Sequence, residues 1–84
     1  MPGEEFFNLP LTDQVKVLYT RGEFVVNIRW YGYKVNLFAL ADYYVEVFYN
    51  HKEDRIERIS LLDQQHSRFK FFQDQIKLPV DLLN

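Results

Sequence analysis

Between Phe24 and Ala39 apolar side chains recur at every second position: Phe24, Val26, Ile28 and Trp30, then Tyr33, Val35, Leu37 and Ala39. A period of two marks a strand with one buried face. The two runs are separated by Tyr31-Gly32, and a two-residue hairpin loop there pairs Trp30 with Tyr33 and Ile28 with Val35, so that these apolar residues share a face. The reverse face then carries Val25, Asn27 and Arg29 against Lys34, Asn36 and Phe38. A third run from Tyr43 to Asn50 alternates again, with Val45 and Val47 pointing one way and Tyr44, Glu46 and Phe48 the other. Val45 and Val47 join the apolar face if the connection Ala41-Asp42-Tyr43 has an odd number of loop residues, and Asp42 is the residue there that best tolerates a left-handed backbone. Tyr44, Glu46 and Phe48 then fall on the reverse face. After the loop Asn50-His51-Lys52-Glu53-Asp54, Ile59 and Leu61 reach the apolar face while Ile56 is out of phase, which predicts a bulge or frayed start between Arg55 and Arg58.

The flanks have helical spacing. Leu11, Val15 and Leu18 line up behind Thr12 as N-cap, with Asp13 in the first turn and Gly22 as the stop, which predicts a helix of about two turns. Near the other end, Asp63 is placed to cap a helix with Phe69, Phe72 and Ile76 on one side, ended by Pro79. The order predicts an α+β fold: a four-stranded antiparallel meander sheet with an N-terminal and a C-terminal helix (α-β-β-β-β-α) packed on one face. With 84 residues and no repeat or linker, the chain reads as a single domain over 1–84, with 1–8 and 79–84 as terminal segments.

Area and composition then single out one surface. Four strands about 4.8 Å apart present a face of roughly 450 Å², against roughly 330 Å² for the two helices. One face is left uncovered, and it carries Val25, Phe38, Tyr44 and Phe48 among Asn27, Asn36, Arg29, Lys34 and Glu46, too aromatic for an ordinary wet surface. Arg29 and Lys34 lie directly opposite each other on it, and like charges so placed call for an acid, an anion or solvent between them. Glu46 is the nearest acid by composition, although it could equally pair with Arg58 across its own hairpin.

The charge balance narrows the partners. Net charge is −2 with a pI near 5.6, which gives no overall attraction for phosphate backbones or anionic lipid and argues against nucleic acid and membrane. No apolar run approaches the roughly 20 residues of a membrane span, and the acids of Met1-Pro2-Gly3-Glu4-Glu5 stand where a signal peptide has bases. A cytoplasmic location is expected. With Cys 0 there is no disulfide, thiolate or Cys-ligated zinc.

Candidate chemistry is sparse. His51, Glu53 and Asp54 could hold a metal or move protons, but a hairpin tip with no second fixed His reads better as a charged, solvated turn. Asp63 and His66 could form an acid/base pair, though Asp63 serves as the cap. Ser60 and Ser67 lie in no nucleophile elbow, and Gly3, Gly22 and Gly32 stand alone, so no phosphate loop exists. Trp30, Tyr33 and Tyr49, near strand ends, could line a small cavity between helices and sheet, but core packing carries more weight in so small a chain. No enzyme, cofactor or metal site is expected.

Leu9-Pro10-Leu11-Thr12-Asp13-Gln14 opening a helix, Gly22 before a strand, and Tyr43-Tyr44-Val45-Glu46-Val47-Phe48-Tyr49-Asn50 resemble a family of short uncharacterised bacterial α+β proteins with no established function. The resemblance runs over about positions 9–78 and implies a fold and a compartment, not an activity. The functional expectation from the residues is a small non-catalytic protein-interaction module. It forms a homodimer, or meets an unidentified protein partner, through the reverse face: Val25, Asn27, Arg29, Lys34, Asn36, Phe38, Tyr44, Glu46 and Phe48. The alternative is that this same aromatic and basic face binds an anion, a nucleotide or single-stranded nucleic acid, as exposed aromatic sheets stack bases.

Overall fold

The structure, a computed structural model, describes residues 1–62 together with Lys70 and Phe72. The chain is α+β, with helices α1 (Gly3–Phe7) and α2 (Leu11–Arg21) followed by strands β1 (Glu23–Trp30), β2 (Tyr33–Leu40), β3 (Tyr43–Asn50) and β4 (Arg55–Leu61). The strands form one sheet in the order β1-β2-β3-β4, every pair antiparallel. The expected C-terminal helix from Asp63, with Phe69, Ile76 and the stop at Pro79, lies outside the described residues, as do His66 and Ser67; Lys70 and Phe72 are helical.

Both termini of α2 differ from the expectation. The helix begins one residue before Thr12, because Pro10 is extended (φ −58°, ψ 154°) and its carbonyl accepts from the N–H groups of Asp13 and Gln14 at 3.0 Å. A proline serves well there, since an N–H at a helix start has no intrahelical partner. With 11 residues the helix has three turns. At its far end Gly22 is extended rather than left-handed (φ −83°), and it donates its N–H to the Leu18 carbonyl at 2.9 Å. Close approach is what requires glycine here: a Cβ would sit 2.7 Å from the Leu18 oxygen. The stretch taken as a terminal segment holds α1, whose Phe6 is fully buried. Gln14 ties the two helices, donating from Nε2 to the Phe6 carbonyl at 3.2 Å, which explains how an amide is buried beside α1.

Tyr31-Gly32 is the two-residue loop of the first hairpin, with φ 47° and 84°, the pair of positive values that characterises a type I′ turn. Trp30↔Tyr33, Ile28↔Val35 and Val26↔Leu37 pair as the alternation requires. Past Val26 the register shifts, so that Phe24 opposes Phe38 and leaves the face of Val26. A second shift, between Phe48↔Arg58 and Tyr49↔Ile56, sets a bulge at Glu57 inside the expected Arg55–Arg58 interval.

The second hairpin overturns the expected facing of β3. Its loop is the even-numbered Ala41-Asp42, with Leu40↔Tyr43 closing it, and the left-handed residue is Ala41 (φ 53°), not Asp42. Changing the loop by one residue reverses every side chain of the next strand. Phe48 therefore stands beside Val35 and Glu46 beside Leu37, while Val45 and Val47 join Phe38 and Asn36 on the reverse face.

The sheet consequently has a core on each side. Ile28, Val35, Leu37, Phe48, Leu62 and Phe72 form one cluster; Phe6, Leu18, Phe38, Leu40, Val45 and Val47 form the other. Phe72 and Leu18, expected on one face, lie in clusters on opposite faces. Each full burial of a Leu or Phe contributes about 1.5–3 kcal/mol, and a chain with a radius of gyration of 12.4 Å needs both clusters.

Candidate functional site

The nine residues expected to share one contact surface are divided by the turn at Ala41-Asp42. Asn27, Arg29, Lys34, Asn36 and Phe38 do share the reverse face. Tyr44, Glu46 and Phe48 belong to the other face, beside Ala39, Leu37 and Val35. Val25, at the first bulge, packs against that same cluster. Phe38, Glu46 and Phe48 are buried inside the chain itself, with Glu46 fully enclosed between Leu37 and Ser60. The correction has a simple cause: with two core clusters, the aromatics that looked uncovered are core.

What remains open on the reverse face is its β1 side. Arg29 opposes Lys34, as the alternation implied, and Tyr49 flanks Lys34 on β3. The acid proposed to relieve this pair, Glu46, is on the opposite face, and Arg58 opposes Phe48 rather than Glu46. Phe24 and Tyr19 are 55% and 71% exposed, each packing an edge against Phe38 at 5.8 and 6.2 Å.

The loop residues His51, Glu53 and Asp54 are exposed. Asn50 organises their turn, its Oδ1 accepting from the backbone N–H groups of Lys52 (2.9 Å) and Glu53 (3.2 Å). Tyr49 donates to Asp54 and packs against His51 edge-on. That hydrogen bond pushes the Tyr49 phenol above its usual range, since ionisation would set an anion against a carboxylate. Among the described residues no group of three or more His, Asp or Glu is placed to hold a metal ion.

A site that the alternation alone does not reveal lies at the turn end of the first face. Trp30, Tyr31, Tyr33, Phe48, Glu57 and Arg58 line an open pocket of about 320 Å³. Consecutive strand residues ordinarily point to opposite faces. Glu57 and Arg58 enter one pocket together because the bulge inserts an extra residue, a common use of bulges at functional sites. Each is then fixed separately. The Tyr33 hydroxyl donates to Glu57 Oε2 at 2.7 Å and Asn50 Nδ2 donates to Oε1 at 2.8 Å. The Arg58 guanidinium carbon rests 4.1 Å from the centre of the Phe48 ring. The ionic contact of Glu57 is with Arg55 at 4.0 Å, so Arg58 is not spent on it.

The electrostatics follow from those bonds. The hydrogen bonds from Tyr33 and then Asn50 hold the Glu57 carboxyl below the usual glutamate range. The same bond raises the Tyr33 phenol, with the Glu57 charge adding to it. At neutral pH the pocket therefore offers a carboxylate with a second lone pair on each oxygen, a guanidinium with five N–H donors, and aromatic walls.

Tyr31 stands apart. It is 86% exposed with its ring edge-on to Trp30 at 4.9 Å, yet its backbone is left-handed, a region where a bulky side chain is an outlier and where Asn would serve the turn better. Trp30 and Tyr33 had been candidates for lining a cavity; the structure places both in this pocket and puts Tyr49 on the opposite face. Glu57 and Arg58 were not read as neighbours in one site, and the signal that could have joined them was the expected bulge at Arg55–Arg58.

No family model, curated protein or solved structure matches this chain. No helix among the described residues is long and apolar enough to cross a membrane.

Proposed function

We propose that the chain is a small, non-catalytic binding module of the cytoplasm whose recognition site is the aromatic pocket at the β1–β2 turn. The observation that carries this reading is Tyr31. A left-handed backbone costs an ordinary residue about 1–2 kcal/mol, and strain of this kind collects where a side chain is needed for something other than folding. An exposed ring at the rim of a pocket with a fixed carboxylate and a guanidinium fits that description. The pocket has the size and polarity of a site for one small planar molecule, at the low end of the range of about 300–1,000 Å³ for ligand pockets.

Trp30 is the single tryptophan and lines the pocket, so its emission reports occupancy. Titration of the full chain with benzoate, indole-3-acetate, AMP and GMP should give a saturable change with at least one of them, lost in Arg58→Ala and weakened in Tyr31→Ala. A flat response to all four would overturn the reading.

A second reading is favoured by the exposure of Phe24 and Tyr19, which flank Phe38 at the start of β1. Among the described residues β1 is an edge of the sheet, and two copies of an edge strand can pair antiparallel about a two-fold axis. In this reading the module self-associates through Asn27, Arg29 and Phe24, and sedimentation should show a dimer that Phe24→Glu converts to a folded monomer. A monomeric wild-type chain at micromolar concentration would exclude it.

A further inference from the structure

We infer that the ligand of this pocket is a guanine-type purine base, carried by a free mononucleotide. The inference rests on the pocket being a binding site and goes on to name what it selects.

Three features of the pocket restrict the ligand. The first is shape. The aromatic walls open to a ligand are the rings of Trp30, Tyr31 and Tyr33, the buried Phe48 ring being covered by the Arg58 guanidinium, and about 320 Å³ is room for a single flat heterocycle, not for a peptide or a folded strand. Aromatic walls favour any base, because every base has a π face, so stacking supplies affinity without choice.

The second is the pair of polar groups. Glu57 only accepts hydrogen bonds, because its carboxyl is held ionised by Tyr33 and Asn50, which occupy one lone-pair site on each oxygen. Arg58 only donates, and its fork is suited to two acceptors in one plane. A base meeting both groups fully must present two adjacent donors and two adjacent acceptors in the plane of its ring. Guanine does, with N1–H and N2–H on one edge and O6 and N7 on another; the Arg fork on O6 and N7 is the commonest specific contact to that base. Adenine offers a single amino group beside ring acceptors, so one oxygen of Glu57 would go unused. Cytosine and uracil lack the second ring and its acceptor edge.

The third is that the polar groups are set beforehand. Glu57 and Arg58 are neighbours in sequence aimed into the same pocket by the bulge, and each is held by a different partner, Tyr33 and Asn50 for one and the Phe48 ring for the other. Prior fixing of this kind lowers the ordering cost of binding. A free nucleotide is favoured over a strand by the pocket's one-base size and by the net charge of −2, which gives a polyanion no general attraction.

The test is titration of the full chain with GMP, with AMP, and with two pentanucleotide single strands that differ in a central guanine or adenine, followed by Trp30 emission. GMP and AMP carry the same phosphate, so their difference reads the base. GMP should bind about tenfold or more tighter than AMP. Arg58→Lys, which keeps the charge and loses the fork, and Glu57→Gln, which replaces one acceptor oxygen by a donor, should each bring GMP down to the AMP level while the chain stays folded with only a small shift in thermal midpoint. AMP binding as well as GMP, with both lost in Arg58→Ala, would overturn the guanine inference and leave the pocket as a general aromatic site. Absence of binding by either nucleotide overturns the inference, and the pocket itself then stands or falls with the aromatic acids. A central-guanine strand that binds while GMP does not would overturn the free nucleotide as the source.

Discussion

The hydroxyl of Tyr33 on β2 donates to Glu57 on β4 at 2.7 Å, reaching over Phe48 of the strand between them, whose ring meets that of Tyr33 edge-on at 5.7 Å. One bond thus joins two strands that are not neighbours, and it moves both titrations in opposite directions. The Glu57 carboxyl is lowered, so its contribution to stability is present above the ordinary glutamate pKa of about 4.3 and is lost as pH falls through the lowered folded value. The Tyr33 phenol is raised, so its contribution is present below the ordinary tyrosine pKa of about 10 and is lost as pH rises through the raised folded value. The polar ends of both side chains reach the surface, and the effects are small. Tyr33→Phe should return the Glu57 carboxyl toward its usual range, read by carbon-detected NMR titration of the side chain. An unmoved titration would show that the hydrogen bond does not form in solution.

Phe48 is 2% exposed in the cluster with Ile28, Val35 and Leu37. Phe48→Glu should therefore unfold the chain rather than release a folded monomer, because an isolated buried carboxylate costs more than a small domain has in reserve. Circular dichroism decides the point, and a folded variant would mean that this side of β3 faces solvent.

Ala41 carries a left-handed backbone in the turn that sets the facing of β3. Glycine at this position relieves the strain at the cost of some unfolded-state entropy, and Ala41→Gly should raise stability by about 0.5 kcal/mol. In a turn with an unstrained residue there, the same change would lower it. The urea midpoint of the two proteins reads the sign directly.

At Gly22 the prediction runs the other way. A methyl group 2.7 Å from the Leu18 carbonyl oxygen forces backbone to move, and Gly22→Ala should cost about 1–3 kcal/mol in thermal or urea denaturation. An unchanged midpoint would mean that the end of α2 is not packed this closely.

The strands, the first turn, the bulge at Glu57 and the opposition of Arg29 and Lys34 were legible because alternation and turn chemistry act locally. The facing of β3 was not. Tyr44, Glu46 and Phe48 alternate with Val45 and Val47, so either facing gives an apolar side, and putting the two valines on the apolar face requires the odd loop that the structure lacks. A glutamate within a strand ordinarily marks the wet side; here Glu46 is fully buried, and the rule points the wrong way. Helix α1 was missed because five residues are too few for a period to show. The pocket was half legible: Trp30 and Tyr33 stood out as strand-end aromatics, but Glu57 and Arg58 acquire a common direction only through the bulge, a property of the pairing with β3 and not of the β4 sequence.

The central claim is that Tyr31 trades stability for recognition, and one denaturation experiment tests it most directly: urea unfolding of the wild-type chain and of Tyr31→Asn, each with and without GMP. Asn suits the left-handed position and removes the ring. The expected result is a variant about 1 kcal/mol more stable than wild type without nucleotide, together with a smaller increase in midpoint when GMP is added, since at a given concentration a ligand that binds more weakly stabilises the folded state less. A variant no more stable than wild type, or one that gains as much from GMP as wild type does, would contradict it.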